Sequence, residues 1–281
     1  MDHHPDLSDP DAISPFTAFM REARVERERL LLPPTEVMYA NAMARSEEIK
    51  RGIHRDKARM TNEREFAAKR IAEALDLAVL RPTASRRDVE AACALVNRHG
   101  IASICVASSY VPIACTLTDR VCSVVGFPHG NACLTAKVEE AGHALYYGAI
   151  ELDVVVNYGR FLDGNPDPIV DELTKIVGLA RPRRAIVKAI LETCYLNKTQ
   201  ITDLCGLCVD CGVDYVKTST GFGDSGAGPV AVQTMLDAVG TRCLVKASGG
   251  INDYETAMMY LRMGCARLGS SKYLELLPET P

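Results

Sequence analysis

The 281-residue sequence has no long apolar run, no surplus of positive charge, few histidines and no glycine-rich turn after its first strand candidate. Each absence excludes something. No apolar stretch approaches the roughly 18 residues that a membrane-crossing helix needs. The opening Met1-Asp2-His3-His4-Pro5-Asp6 is acidic and polar, unlike the basic and then apolar start of a secretory signal. A formal net charge of -4 argues against nucleic acid as a partner, since such binders usually carry a basic excess. Six histidines, two of them His3-His4, do not supply a zinc site built from strand ends; only His129 falls beside a strand candidate, and it reads as structural. The segment Leu80-Arg81-Pro82-Thr83 cannot serve as the phosphate turn of a dinucleotide-binding sheet.

What is present is apolar and well spread. With 47% hydrophobic and 24% charged residues, the chain can bury one large domain and carry an appendage. Eleven cysteines, an odd number, lie scattered through apolar segments, as expected of reduced thiols in a cytoplasmic protein rather than a disulfide framework. Cys205, Cys208 and Cys211 share part of the spacing of an iron–sulfur run. They fall in a helical pattern with Leu204 and Leu207 and lack a fourth ligand, so they read as core or surface thiols.

Residues 1–62 differ from the rest. Residues 1–15 are rich in Asp, Pro and Ser, a composition that reads as disordered. Residues 16–31 interleave Arg and Glu as a solvated helix does, and Pro33-Pro34 ends it. A second charged helix is expected from Thr35 to about Arg59. Its Lys50, Arg51, His54, Arg55, Lys57 and Arg59 form either a solvent-facing surface or a docking face for a protein partner.

From residue 63 short apolar runs alternate with amphipathic stretches. The strand candidates are Asp76–Leu80, Ser103–Val106, Cys122–Phe127, Ile150–Val156, Ala185–Leu191, Tyr215–Thr218, Leu244–Ala247 and Ala266–Gly269. The helix candidates are Arg86–Arg98, Thr135–Tyr147, Pro168–Ala180, Lys198–Cys211, Pro229–Val239 and Asp253–Met263, with Ser85 and Asn252 or Asp253 as caps. Eight such units imply an α/β fold, a closed TIM (β/α)8 barrel spanning 63–281 with an N-terminal helical extension. An open doubly wound sheet normally has fewer units.

Chemistry in such a barrel sits at the C-terminal ends of its strands. Val213 to Gly221 runs from a buried strand into Lys217 and a Thr218-Ser219-Thr220-Gly221 turn. Leu244-Val245-Lys246-Ala247-Ser248-Gly249-Gly250 repeats the pattern. Two ammonium groups in one pocket repel, and repulsion favours a neutral amine, a nucleophile towards carbonyls. Asp153 and Lys188 also interrupt apolar strands, and Asp76 stands on the first. Alternation puts Asp153, Lys188, Lys217 and Lys246 on the inner face, where they can neutralise one another. Glycine amides at Gly249-Gly250 and the Gly269-Ser270-Ser271 segment mark the usual phosphate corner of a barrel. The lack of a metal motif favours imine chemistry over a metal enolate.

Five segments carry a resemblance: Val125-Gly126-Phe127-Pro128-His129-Gly130, Glu151 to Asn157, Val187 to Thr193, Val216 to Phe222, and Lys246 to Ile251. Over about Asp76 to Leu277 the chain resembles the 2-deoxyribose-5-phosphate aldolases, class I aldolases on a TIM barrel. The resemblance implies a lyase of deoxyribonucleoside catabolism, without metal or cofactor, acting on a phosphosugar and forming homo-oligomers. It implies that Lys217 forms the Schiff base, that Lys246 depresses its pKa, and that Asp153 moves protons through an ordered water. Asp76, Cys105, Lys188 and Thr220 would line the substrate pocket, and Gly221, Gly249, Gly250, Ser270 and Ser271 would hold the phosphate. Three departures stand out. Ala78 replaces a threonine, Asn252 replaces an arginine near the phosphate, and no tyrosine ends the chain. Two other readings compete: a Schiff-base barrel acting on a different aldehyde, and a scaffold that binds a protein through residues 16–60.

Overall fold

Parallel strands joined by helices are buried on both faces, and eight of them close a sheet into a barrel without edges. The computed structural model, which describes residues 65–277, has this architecture. The strands are β1 (Leu75–Val79), β2 (Ser103–Val106), β3 (Val121–Val125), β4 (Glu151–Val155), β5 (Ile186–Ile190), β6 (Tyr215–Lys217), β7 (Leu244–Ser248) and β8 (Arg267–Ser270). They pair in parallel in sequence order, and β8 closes on β1. Each expected strand lies within two residues of an observed one. The two charged helices expected before residue 62 lie outside the described residues.

Residues 65–74 form a helix, α1, that leads into β1. Then come α2 (Arg86–His99), a short α3 (Val111–Ala114), α4 (Leu134–Tyr146), α5 (Tyr158–Leu162), α6 (Asp167–Ala180), α7 (Lys198–Asp210), α8 (Pro229–Val239) and α9 (Tyr254–Met263). Sequence periodicity finds the six long ones after β1. It misses α3 and α5, of four and five residues, because one turn is too short to show a 3.6-residue repeat. Capping fixes several boundaries. Ser85 Oγ accepts from Asp88 N while Asp88 accepts from Ser85 N, and Gly100, at φ 66°, turns the chain out of α2. At α9 it is Asp253, not Asn252, that caps, accepting from Thr256 N at 2.8 Å.

The strand period of two separates two interiors. Leu152, Val154, Val187, Ala189, Val216 and Val245 join the main apolar cluster with Ile169, Leu173 and Ile176 of α6. Between them in sequence, Glu151, Asp153, Lys188, Lys217 and Lys246 are buried on the opposite face. Barrel interiors are ordinarily layers of branched aliphatic side chains. This one holds a network of charge.

Candidate active site

Cross-strand register brings the charged residues into contact. Asp153 on β4 pairs with Lys188 on β5, and Lys217 on β6 with Lys246 on β7. Lys217 Nζ and Lys246 Nζ each donate to the same oxygen, Asp153 Oδ2, at 2.7 Å. The two nitrogens therefore face one another across a single atom. Lys188 Nζ donates to Asp153 Oδ1 at 2.9 Å and lies 3.2 Å from Asp76 Oδ2. Lys246 also donates to Asp76. Two further residues complete the network: Glu151, which accepts from Lys188, and Arg267 on β8, which bridges Glu151 Oε1 at 2.6 Å and Asp76.

Sequence reasoning overlooked Glu151 and Arg267. The signal was available, since Glu151 is two residues before Asp153 and so shares its face, and Arg267 interrupts an otherwise apolar and small strand.

Electrostatics follow from this geometry. Burial raises the affinity of Asp153 and Asp76 for protons, but the surrounding lysines, with Arg267 at Asp76, outweigh it and hold both carboxyls well below the usual range. Burial disfavours the Lys246 ammonium, yet Asp153 and Asp76 overcome that and raise its pKa. This amends the expectation of two lysines in bare repulsion: a carboxylate stands between them and compensates it. Lys188 is likewise raised, burial being outweighed by Asp153, Asp76 and Glu151.

Above the network opens a cavity of about 650 Å³. Ten of the twelve expected site residues line it: Asp76, Cys105, Lys217, Thr220, Gly221, Lys246, Gly249, Gly250, Ser270 and Ser271. Asp153 and Lys188 do not; both are fully buried beneath its floor. Asp153 still reaches the cavity through the two amines it binds. Lys188 is tied to three carboxylates and does not line the cavity, which corrects its expected place as a substrate contact.

The phosphate corner is partly engaged with the protein itself. Ser270 Oγ donates to Ile251 O at 2.7 Å and accepts from Lys272 N at 3.0 Å. Ser271 is exposed. Gly221, Gly249 and Gly250 have φ of 89°, 82° and 76°, a left-handed backbone that suits glycine. Gly226, also overlooked, packs against this corner so closely that a Cβ there would lie 2.2 Å from Gly249 O.

Cys105 Sγ, Cys122 Sγ and an Asp153 oxygen lie within 4.8 Å of one another, a spacing that a metal could bridge. Three ammonium groups already bind that carboxylate, so the site disfavours a cation. His129 is exposed in the loop after β3. Cys205 and Cys208 are buried in α7, where burial pushes both thiols up, Cys205 to about 12; they are neutral core residues.

Residues 61–266 match the DeoC/LacD family aldolases. The chain belongs to this family. It is 36% identical over 214 residues to the deoxyribose-phosphate aldolase of Carboxydothermus hydrogenoformans, a match covering 74% of this chain and 94% of that one. To the enzyme of the same name from Caldicellulosiruptor saccharolyticus it is 38% identical over 216 residues, covering 75% and 98%. Among solved structures it resembles the tetrameric deoxyribose phosphate aldolase of Aeropyrum pernix, with TM-score 0.68, 32% identity, and coverage of 75% and 90%. As a DeoC/LacD aldolase the chain is a carbon–carbon lyase. Ala78 and Asn252, two of the three departures expected from the resemblance, both fall on the cavity wall. The third concerns the last residues, and 278–281 lie outside the described part of the chain. No described helix is long and apolar enough to cross a membrane.

Proposed function

We propose that this aldolase reversibly cleaves 2-deoxy-D-ribose 5-phosphate to D-glyceraldehyde 3-phosphate and acetaldehyde through a Schiff base on Lys217. One observation carries the reading: two amines converge on one buried carboxylate oxygen at the floor of a cavity whose rim is a glycine-rich anion corner.

Charge counting explains why Lys217 is the nucleophile. Four cations, Lys188, Lys217, Lys246 and Arg267, face three carboxylates, Asp76, Glu151 and Asp153. One proton is surplus. Lys188, Lys246 and Arg267 each have at least two carboxylate partners, whereas Lys217 has only Asp153 among the described residues. Lys217 is thus the amine held by the fewest ion pairs.

The neutral amine adds to the aldehyde carbon of the open-chain sugar, and loss of water gives the iminium. The C3 hydroxyl gives up its proton, the C2–C3 bond breaks, and its electron pair passes into the iminium as an enamine. Glyceraldehyde 3-phosphate leaves. Protonation of the enamine carbon and hydrolysis release acetaldehyde and restore Lys217. Asp153 and Lys246, hydrogen-bonded to one another, carry the protons. Gly221, Gly249, Gly250 and Ser271 offer amides and a hydroxyl to the phosphate, and Asp76, Cys105 and Thr220 bound the sugar.

Incubation with acetaldehyde and borohydride, followed by peptide mass analysis, tests this. The expected adduct is on Lys217; labelling at another residue rejects the assignment. The fuller reading is a cytoplasmic homo-oligomer whose barrel begins at residue 63, with residues 1–62 as an extension able to bind a protein partner. A chain starting at residue 63 is then expected to keep aldol cleavage.

A further inference from the structure

Outside the lysine network lies another buried acid that the mechanism does not use. Glu192 stands two residues past β5 and is 1% exposed. Its backbone is left-handed, φ 52° and ψ 64°, a conformation unfavourable for a residue with a Cβ. Strain and burial together require a compensating interaction, and there is one. The carboxylate accepts from Thr220 N at 3.2 and 3.3 Å and from Thr220 Oγ1. Thr220 Oγ1 in turn accepts from Phe222 N at 3.0 Å. At Gly223 an added Cβ would lie 3.0 Å from Glu192 Cδ, so the same loop packs on the carboxylate at a second point. Leu191 N and Thr193 N, on either side of Glu192, donate to Lys217 O and Thr218 O at 3.0 and 2.9 Å. The segment 220–223 is thus wrapped around one carboxylate.

This segment joins the two halves of the site. It leaves the end of the strand that carries Lys217, and it contains Gly221, at φ 89°, on the cavity wall. Nothing in the barrel's closure calls for an acid here, since β5 and β6 are already paired through their backbones. The charged network has its own three carboxylates. Burial pushes the Glu192 carboxyl upward, the Thr220 bonds opposing it only in part.

We propose that Glu192 is a positioning residue for substrate selectivity: it clamps Thr220 and Phe222 so that the Gly221 amide is held towards the substrate's phosphate. The inference rests on the proposed aldol cleavage and deepens it. Thr220 belongs to the clamp as much as to the substrate, because its hydroxyl proton is already committed to Glu192.

The test compares full-length wild type with Glu192→Gln and Glu192→Asp. Three quantities are measured: kcat and KM for deoxyribose 5-phosphate, the same for unphosphorylated deoxyribose, and the rate of borohydride trapping by acetaldehyde at Lys217. Gln keeps an acceptor for Thr220 N but presents an amide to a hydroxyl that needs an acceptor, so one hydrogen bond is lost. The KM for the phosphorylated sugar is expected to rise roughly three- to tenfold. The KM for deoxyribose and the trapping rate should stay within about twofold of wild type. Asp keeps the charge but retracts it by one methylene, and it should reproduce the pattern. A loss shared equally by the two sugars, a fall in trapping, or wild-type behaviour of Glu192→Asp overturns the clamp. Wild type with neither trapping at Lys217 nor cleavage of either sugar rejects the aldolase reading instead, so the two failures are distinct.

Discussion

Lys188 shows how one residue can be legible in sequence and yet misplaced by it. A lysine inside Ile186-Val187-Lys188-Ala189-Ile190 must be paired, and the strand period aims it inward. Whether it meets substrate or other side chains depends on what the neighbouring strands bring. They bring Asp76, Glu151 and Asp153, and the amine is consumed by them. Replacing it with methionine removes one ion-pair partner from each of three buried carboxylates. Lys188→Met is expected to destabilise the fold by about 3–5 kcal/mol in urea unfolding. Lys217 and Asp153 were readable for the same reason, as charges among β-branched residues. Their shared oxygen was not, because no spacing along one strand states what lies on another. Asn252, an uncharged residue on the cavity wall, is the one whose change should add charge to the proposed phosphate corner. Asn252→Arg is expected to lower KM for the phosphorylated sugar by about tenfold and leave that for deoxyribose unchanged, in steady-state assays.

At the scale of elements, the eight strands and six long helices were visible as periods of two and 3.6. The short α3 and α5 were not, since a single turn carries no period. The loops after β6 and β7 do more than join elements. Ala227 N donates to both Ser248 O and Gly249 O at 3.0 Å, which ties the two loops together, and Gly226 allows the approach. Gly226→Ala would drive a Cβ into the Gly249 backbone, which cannot yield as a flexible side chain can. The expected result is a KM for phosphorylated substrate raised by about tenfold or more, with trapping at Lys217 largely retained. A crystal structure of the variant should show the Gly249–Gly250 turn displaced.

For the whole molecule, the network sets how stability responds to pH. Asp76 and Asp153 have folded pKa values depressed below the ordinary 3.8, so their contribution is complete above that value and is lost as pH falls below it. Lys188 and Lys246 are raised above 10.5, so theirs is complete below that value and lost as pH rises beyond it. Unfolding free energy from urea titrations is therefore expected to fall steeply below about pH 4, and these four groups should contribute no change between pH 5 and 9. A steep loss between pH 5 and 7 would contradict the assignment of these ion pairs.

By itself the sequence determined the class of fold and put a set of charged side chains in its interior. Apolar periodicity dictates strands and helices, eight repeats dictate a closed barrel, and a charge inside an apolar strand announces itself because burying it unpaired is so unfavourable. Only the tertiary structure decided how those charges divide the work. Barrel closure sets β8 beside β1 and adds Arg267 to Asp76; register sets two amines on one Asp153 oxygen and withdraws Lys188 from the cavity. Partnership among buried charges depends on distances of a few ångströms between strands far apart in sequence, and those distances exist only once the sheet has closed.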